Sequence, residues 1–357
     1  MDSGDPHLIQ CIRSEIEQRG PISFARFMQQ ALHHSEYGYY SSGRCVIGRE
    51  GDYFTNVSVG PLFGQLLATQ FVEIWERLGK TDNFVIVEQG AHDGQFARDV
   101  LEAVRQCATE FYDALHYRII EPFRVLQESQ SRTLQAFGDK VEWRESLTPF
   151  EGVHFSNELL DAIPVRVISG DMEKLVGVDG GRFVFVERAV SGTANDPQRS
   201  AQQNAFNQLT LEWVDEVAAN LQRGYVIAVD YGHLDPQFEA SFQVRAKHRL
   251  LGSPFEQIGR ADITMHVDWS SVIARARANR LHLAGFTDQH HFLTGIISRL
   301  GVLDSPKLKR ELQTLLHPEM LGRAFQVVGL TKGVQPSALP LAGFKFARDL
   351  RCGAQNY

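Results

Sequence analysis

The sequence is poor in cysteine, with four among its 357 residues, and no two of them form a C-x-x-C pair. Neither a zinc knuckle nor a dithiol redox motif is indicated, and isolated reduced thiols are the simplest interpretation. The adjacent pairs His33-His34 and His290-His291 would point apart on a helix, so we expect surface residues there. We predict no metal site.

Long apolar runs and a recognisable leader are also missing. No apolar run approaches the length of a membrane span, so none is predicted. The first residues, Met1–Asp5, are acidic and polar, unlike a secretory signal or an arginine-rich transit peptide. We predict a cytoplasmic protein, with import by a signal absent from this sequence as the alternative.

A surplus of positive charge is absent as well. The net charge is -7 and the isoelectric point is about 6.0, whereas a general nucleic-acid binder usually has a basic face. We predict no nucleic-acid partner. With 43% hydrophobic and 22% charged residues, the composition is that of an ordinary soluble globular protein of one large domain or two ordinary ones.

The most informative stretch runs from Phe84 to Leu101. A short apolar run rich in β-branched residues, typical of a strand buried on both faces, ends in the acid Glu88. Gly90 and Gly94 follow within a tight loop, and apolar residues then occur at helical spacing. Strand, acid, glycine loop and helix together predict the ligand-binding corner of a doubly wound α/β sheet.

The glycine loop limits the choice of ligand. A dinucleotide fingerprint needs G-x-G-x-x-G, but His92 and Gln95 occupy two of its glycine positions, and no P-loop ending is present. The frame fits G-x-G-x-G better, with an acid two residues before the first glycine. An acid there suits S-adenosylmethionine (SAM), which carries an ammonium and a sulfonium. From this stretch alone, SAM, another nucleotide and a structural turn all stay open.

A second acid strengthens the nucleoside interpretation. Glu121 ends the next predicted strand, where a carboxylate can hydrogen-bond both hydroxyls of a ribose. Two further strands are predicted ahead of Ser146-Leu147 and Asn157-Glu158. Polar residues at the carboxyl ends of such strands are where we expect the chemistry.

The remaining chain adds helices, a hairpin and a loop. Amphipathic patterns predict two helices before a glycine-punctuated loop at 48–60, and loops of that length inside compact domains are often functional. Asp179-Gly180-Gly181 predicts a hairpin turn. The stretch 233–271 is predicted to be rich in loops, and helices then lead to a final strand at 324–330.

Nine motifs occur in order over nearly the whole chain: Gly20–Ser23, Tyr37–Tyr40, Gly51–Thr55, Pro61–Gly64, Glu88–Gly94, Asn157–Val165, Asp230–Gly232, Ala261–Asp268 and Phe325–Val328. No single motif is specific, but the series resembles the MidA-like class I SAM-dependent methyltransferases. That family includes the mitochondrial complex I assembly arginine methyltransferase. The resemblance implies an α/β fold with a Rossmann-like sheet, a helical N-terminal segment and a helical and hairpin insertion. It also implies SAM as cofactor and arginine methylation of a protein substrate.

We predict four segments from this resemblance, and a homodimer as the assembly. The segments are a helical N-terminal part that closes the cofactor pocket (1–82), a SAM-binding core with a hairpin near 165–187 (83–232), a helical cap for the substrate (233–320), and a final core strand with the C-terminal tail (321–357).

The site residues are assigned on the same basis. Glu158 and Asp161 are predicted on one face of a helical turn, where they would orient the substrate and accept its proton. The cofactor site is predicted from ten residues: Tyr53, Thr55, Glu88, Gly90, His92, Gly94, Glu121, Ser146, Leu147 and Asn157.

Two departures from the family pattern fall at this site. His92 replaces the usual middle glycine, and a left-handed backbone there costs a histidine roughly 1 kcal/mol. After Thr55 the family usually continues Ala/Ser-Pro-Glu, whereas this chain has Asn56–Val59, so one carboxylate is missing. Two alternatives stay open: a weakened or inactive assembly factor on the same fold, and a small-molecule O- or N-methyltransferase.

Overall fold

A computed structural model describes most of the chain: residues 3–43, 55–169, 171–190, 207–234, 242–299, 305–335, 337 and 339–350. Contacts divide the chain into two units, each described by itself. The first, which we call the hairpin unit, comprises Met1–Phe54, Leu160–Trp213 and His233–Val272. The second, the sheet unit, comprises Thr55–Leu159, Val214–Gly232 and Ile273–Tyr357. The predicted division into four functional segments stays a prediction.

The α-helices in the described part of the chain are α1 (Pro6–Arg19), α2 (Phe24–His33), α3 (Leu62–Arg77), α4 (Gln95–Cys107), α5 (Thr109–Ala114), α6 (Arg124–Thr133), α7 (Gln208–Asn220), α8 (Trp269–Ala278), α9 (Gln289–Ile297) and α10 (Pro306–Leu316). Short 3-10 turns cover Val57–Val59, Gln135–Phe137 and Ala342–Phe344, and one π-helical turn covers Pro318–Gly322. None of these helices combines the length and the hydropathy that crossing a membrane requires.

The strands in the same residues are β1 (Ile22–Ser23), β2 (Phe84–Gln89), β3 (Leu115–Ile120), β4 (Val141–Arg144), β5 (Phe150–Asn157), β6 (Val167–Ser169), β7 (Met172–Asp179), β8 (Arg182–Ala189), β9 (Leu221–His233), β10 (Phe242–Ala246), β11 (Arg249–Leu250), β12 (Asp262–Met265), β13 (Val267–Asp268), β14 (His282–Asp288) and β15 (Phe325–Lys332).

The sheet unit is built on strands in the order β14-β15-β9-β5-β2-β3-β4. β2 pairs in parallel with β3 on one side and with β5 on the other, and β9 continues the parallel part beyond β5. β15 runs antiparallel to β9, and β14 runs antiparallel to β15. The carboxyl ends of the five parallel strands therefore lie along one edge, as the predicted Rossmann-like α/β fold requires.

The opposite end of the parallel strands depends on close backbone packing at a glycine. Gly152 in β5 has φ +144°, and a Cβ atom there would lie 2.1 Å from the carbonyl oxygen of Val85 in β2. No side chain fits at that distance, so glycine is required where these two strands start side by side.

Aromatic side chains pack one face of this sheet against its helices. Phe96 of α4 stacks on Phe155 of β5 with ring centroids 4.4 Å apart. Phe71 of α3 meets the ring of Phe155 edge-on, with ring centroids 5.7 Å apart, and Phe63 contacts Phe96. All four side chains are buried. Phe63 and Phe71 belong to the buried apolar face of α3, which packs into this core.

The hairpin unit holds the N-terminal helices and two small sheets. β7 and β8 form the predicted hairpin, with Asp179 opposite Arg182 across the Gly180-Gly181 turn. β1 and β6 pair with β7, and a core of buried apolar and aromatic side chains includes Phe24 and Phe27 of α2.

Several sequence predictions need correction. Within the described part of 233–271, β10 pairs antiparallel with both β11 and β12, which were not predicted, and 251–261 is loop as expected. The strand β14 was not predicted. Helix α7 ends at Asn220, and Gly224 lies inside β9, which follows it directly.

Candidate functional site

The glycine loop joins β2 to α4 at the carboxyl edge of the sheet unit. Gly90 and Gly94 both have φ +82°, and His92 between them has φ +46°. The Gly94 amide donates a hydrogen bond of 2.7 Å to the carbonyl oxygen of Ala91, which closes the turn before the helix. Left-handed backbone costs glycine little and a histidine roughly 1 kcal/mol. The loop therefore keeps the predicted conformation, at an energetic cost at His92.

Glu88, the acid near the end of β2, is buried beneath this loop. The hydroxyl of Tyr117 in β3 donates a hydrogen bond of 2.6 Å to Glu88 Oε2. Burial raises the pKa of Glu88 to about 8, against the lowering effect of the Tyr117 hydrogen bond. Asp93 adds a smaller effect that also raises this pKa. Without a cation beside it, Glu88 is mostly protonated at neutral pH.

Glu121 follows β3 directly and is buried as well. Its Oε1 accepts a hydrogen bond of 3.0 Å from the Phe123 amide, and its Oε2 accepts one of 3.1 Å from Gln130 Nε2. Burial raises the pKa of Glu121, while these two hydrogen bonds act in the opposite direction. The acid thus lies where its position at a strand end predicted it.

Gln130 joins the loop, Glu121 and β4, and the sequence did not single it out. Its Nε2 also donates to the His92 carbonyl oxygen at 2.9 Å, and its Oε1 accepts from Trp143 Nε1 at 2.9 Å. The side chain is fully buried in α6. A glutamine among the apolar positions of that helix was the only available signal.

Three predicted residues have a less defined role. Ser146, just beyond β4, is exposed, and Leu147 is buried. Thr55 is buried and exchanges hydrogen bonds with Ser58: the Ser58 amide donates to Thr55 Oγ1 at 3.1 Å, and the Thr55 amide donates to Ser58 Oγ at 2.8 Å. Tyr53 lies outside the described residues, with most of the predicted functional loop.

The end of β5 carries a connected polar group. Asn157 Nδ2 donates to Glu158 Oε1 at 2.9 Å, and Asn56 Nδ2 donates to Asn157 Oδ1 at 2.9 Å. The Asn56 amide also points to Glu158 Oε1, at 3.4 Å. The sequence predicted Asn157 and Glu158 but missed Asn56, which it treated only as a departure from the family pattern.

The predicted helical turn that joins Glu158 to Asp161 is wrong. Glu158 has φ +53°, and bends and turns without helix follow it through 163. A left-handed residue cannot begin a right-handed helical turn, so helical spacing does not place these two carboxylates on one face. Asp161 belongs to the hairpin unit, where it is buried and its carbonyl oxygen accepts from the Met265 amide at 2.8 Å.

A further acid, Asp230, lies in β9 beside β5 and was not among the predicted site residues. It is buried, and its Oδ2 accepts a hydrogen bond of 3.1 Å from the Leu159 amide. It thereby fixes the backbone just after Glu158. The signal was present in the sequence, since a third apolar run ends in this acid.

The acidic side chains at this edge suit an organic cation with hydroxyl groups better than a metal ion. Two buried carboxylates, Glu88 and Glu121, lie at the ends of adjacent strands beside a glycine loop. No group of three or more His, Cys, Asp or Glu side chains in the described part of the chain is placed to hold a metal ion.

Comparison with known proteins agrees with this geometry. The model of the S-adenosyl-L-methionine-dependent methyltransferase family matches residues 66–287, which is more than half of the chain. The chain belongs to this family. The match covers the glycine loop and every predicted site residue from Glu88 to Asp161.

Relatives of this methyltransferase and a solved structure similar to it align over nearly its full length. It is 26% identical to a mitochondrial protein arginine methyltransferase NDUFAF7 homologue of Drosophila melanogaster, over 96% of this chain and 90% of the relative. It is 27% identical to the mitochondrial Bos taurus NDUFAF7, over 95% and 88%. A Burkholderia thailandensis structure with bound S-adenosyl-homocysteine has a TM-score of 0.84, at 26% identity and with 96% and 95% of the two chains covered.

These findings decide several predictions. The family, the class I methyltransferase fold, the enzyme class and SAM as cofactor are confirmed. The cytoplasmic location is wrong, because the relatives are named as mitochondrial proteins. That prediction rested on the lack of a transit peptide in the given sequence, and such a lack does not define a compartment. The homodimer stays a prediction.

Proposed function

We propose that this methyltransferase transfers the methyl group of SAM to an arginine side chain of a protein. The relatives in Drosophila melanogaster and Bos taurus are named protein arginine methyltransferases, which supports the choice of acceptor. The observation that carries the proposal is the Glu158 carboxylate, held by Asn157 and Asn56 at the carboxyl edge of the sheet unit.

A carboxylate is the group that an arginine acceptor requires. The guanidinium is always charged and planar, and it pairs with carboxylates through parallel hydrogen bonds. Glu158 would hold the guanidinium, draw positive charge away from the reacting nitrogen, and take up the proton released there. Asp161 is proposed as a second carboxylate for the substrate on its position in the sequence alone.

The cofactor side of the proposal uses the glycine loop and the two buried acids. When bound, SAM supplies a methyl group activated on a sulfonium. Glu121 would accept hydrogen bonds from ribose hydroxyls, and Glu88 would lie beneath the cationic end. Gly90 and Gly94, both with left-handed backbone, would let the main chain approach SAM closely. Thr55, His92, Ser146, Leu147 and Asn157 are proposed as the rest of the lining, together with Tyr53.

One observation favours the alternative of a weakened assembly factor. His92 places an imidazole where the loop turns, with its Nδ1 3.7 Å from Asp93 Oδ1. A bulky ring at that point opposes close approach of a ligand to the backbone.

Thermal unfolding with and without SAM distinguishes this alternative from an active enzyme. SAM at about a hundred times its dissociation constant would stabilise a binding-competent protein by roughly 2.7 kcal/mol. An unfolding midpoint that stays the same at millimolar SAM would favour the assembly factor.

The test of the proposed function is transfer of label from methyl-labelled SAM. We expect label in the protein fraction of a mitochondrial extract, with methylarginine recovered after acid hydrolysis. Glu158→Gln should lower the transfer rate by at least about a hundredfold. Glu151→Gln, at the other end of β5 and paired with Arg223 at 3.4 Å, is the matched control and should keep the rate. Label in small molecules only would reject the arginine proposal in favour of a small-molecule methyltransferase.

A further inference from the structure

Glu158 is the last member of a hydrogen-bonded series of side chains that begins in a different part of the sheet unit. We propose that Gln289 is a positioning residue for Glu158, acting through Asn56 and Asn157. This inference rests on the proposed function in so far as Glu158 serves the acceptor. It adds a residue that is 131 positions away in the sequence from the carboxylate it orients.

The series starts at the first residue of α9. Gln289 is fully buried, and its Nε2 donates to Asn56 Oδ1 at 2.8 Å and to the Leu315 carbonyl oxygen at 3.2 Å. Leu315 lies in α10, so the glutamine is held between that helix and the segment before α3. Its amide nitrogen uses both of its hydrogens in these two bonds.

The direction of every following bond is fixed by this first donor. A primary amide has one accepting and one donating end. Because Asn56 presents its oxygen to Gln289, its Nδ2 must face Asn157, where it donates to Oδ1 at 2.9 Å. Asn157 then directs its own Nδ2 to Glu158 Oε1, also at 2.9 Å. All donors point towards Glu158, and the series ends on a group that accepts when it is ionised.

The backbone of Asn56 adds a second constraint on the same carboxylate oxygen. Its N–H points to Glu158 Oε1 at 3.4 Å, so one asparagine acts on Glu158 directly through its backbone and indirectly through its side chain. Movement of the 55–60 segment would disturb both contacts. Gln289 opposes this movement, since it holds the Asn56 side chain from the other side.

Packing alone does not explain a glutamine at this position. Within the described residues, the buried Oε1 of Gln289 has no hydrogen-bond partner, and an unpaired buried polar atom destabilises a fold. A leucine of similar size would avoid that cost. A leucine would lack both hydrogen bonds of the amide nitrogen, and the bond to Asn56 is the one that leads to Glu158.

Two substitutions and one control test the proposal. Gln289→Leu and Gln289→Met both remove the donor to Asn56, and methionine keeps the length of the side chain. Gln70→Leu is the control, because Gln70 is another fully buried glutamine of the sheet unit that bonds Glu73 and Gly343 instead. The first readout is the side-chain amide signal of Asn157 in the nitrogen-labelled protein, assigned by its loss in Asn157→Asp.

Both Gln289 variants should shift the Asn157 amide signal, and Gln70→Leu should leave it in place. With methyl-labelled SAM, both should lower the transfer rate about tenfold or more at a temperature where all variants are folded. The rates are compared at saturating SAM, so that a change in SAM affinity through Asn157 does not contribute.

An Asn157 signal that stays unchanged in Gln289→Leu would overturn the proposal, and so would full transfer activity in Gln289→Met. Failure of the proposed function has a different signature. In that case the unsubstituted protein transfers no label to protein, while the Asn157 signal still reports whether Gln289 orients the series.

Discussion

Tyr117 and Glu88 form a buried hydrogen bond of 2.6 Å between adjacent parallel strands, directly beneath the glycine loop. Burial raises the pKa of Glu88 to about 8 and raises that of the Tyr117 hydroxyl well above its usual value. A neutral acid therefore lies where we propose that the cofactor brings its positive charge. The protein keeps this buried acid at a cost in stability.

Glu88→Gln should remove a pH dependence of the free energy of unfolding. Between the ordinary pKa of 4.5 and about 8, the folded protein keeps a proton that the unfolded chain has lost. Stability therefore falls as the pH rises through this window, by roughly 1.4 kcal/mol per pH unit from this residue. In urea unfolding at several pH values, the free energy of unfolding of the variant should rise relative to that of the original protein from pH 5 to pH 8. Parallel profiles for the two proteins would contradict the assignment.

His92 gives a prediction about backbone conformation. With φ +46°, His92→Gly should change the free energy of unfolding by no more than about 1 kcal/mol, because relief of the left-handed strain offsets the greater freedom of glycine when unfolded. His92→Val should destabilise the protein by about 1–2 kcal/mol, because a β-branched residue is poorly tolerated there. If the ring crowds the ligand, His92→Gly also tightens SAM binding. Equal stability of the Val and Gly variants would refute the conformational argument.

Glu121→Gln should weaken SAM binding without unfolding the site. The amide keeps an acceptor for the Phe123 N–H, but it loses the acceptor for Gln130 Nε2 and the charge that would strengthen hydrogen bonds to ribose hydroxyls. Charged hydrogen bonds contribute about 1.5–3 kcal/mol each, so we expect a dissociation constant at least about tenfold higher by calorimetry. Glu142→Gln is the control, since that acid pairs with Arg118 and Arg144 instead. If Glu121→Gln and the control bind SAM with the same affinity, Glu121 does not belong to the cofactor site.

Gly152 tests the sheet itself. An alanine Cβ there would lie 2.1 Å from the Val85 carbonyl oxygen, on a backbone with φ +144°. We expect Gly152→Ala to cost at least about 3 kcal/mol of unfolding free energy. Gly79→Ala, also at positive φ but with no atom within 4 Å of the added carbon, should cost about 1 kcal/mol. Similar losses for both would mean that β2 and β5 are further apart than described.

The local parts of this site could be predicted from the sequence. The strand, the acids Glu88 and Glu121, and the helix after Gly94 all follow from patterns within about twenty residues, because periodicity and glycine act locally. The left-handed backbone at His92 also followed from its place in a glycine frame.

The long-range parts could not be predicted in the same way. Asn56 and Gln289 are 233 residues apart and meet only through the fold. Gln130 reaches His92 across 38 residues, and no spacing rule links them. The helical turn expected after Glu158 failed because the backbone turns left-handed there, which the acidic sequence Asn157-Glu158 does not reveal.

Amide hydrogen exchange with and without SAM tests most directly whether the carboxyl edge of the sheet unit binds SAM. We predict slower exchange in peptides that cover 88–94 and 121–123, together with a higher unfolding midpoint. Exchange across the β7–β8 hairpin turn at 179–182 serves as the internal reference and should not change. Unchanged exchange at 88–94 in millimolar SAM, or protection confined to residues outside the sheet unit, would contradict SAM binding at this edge.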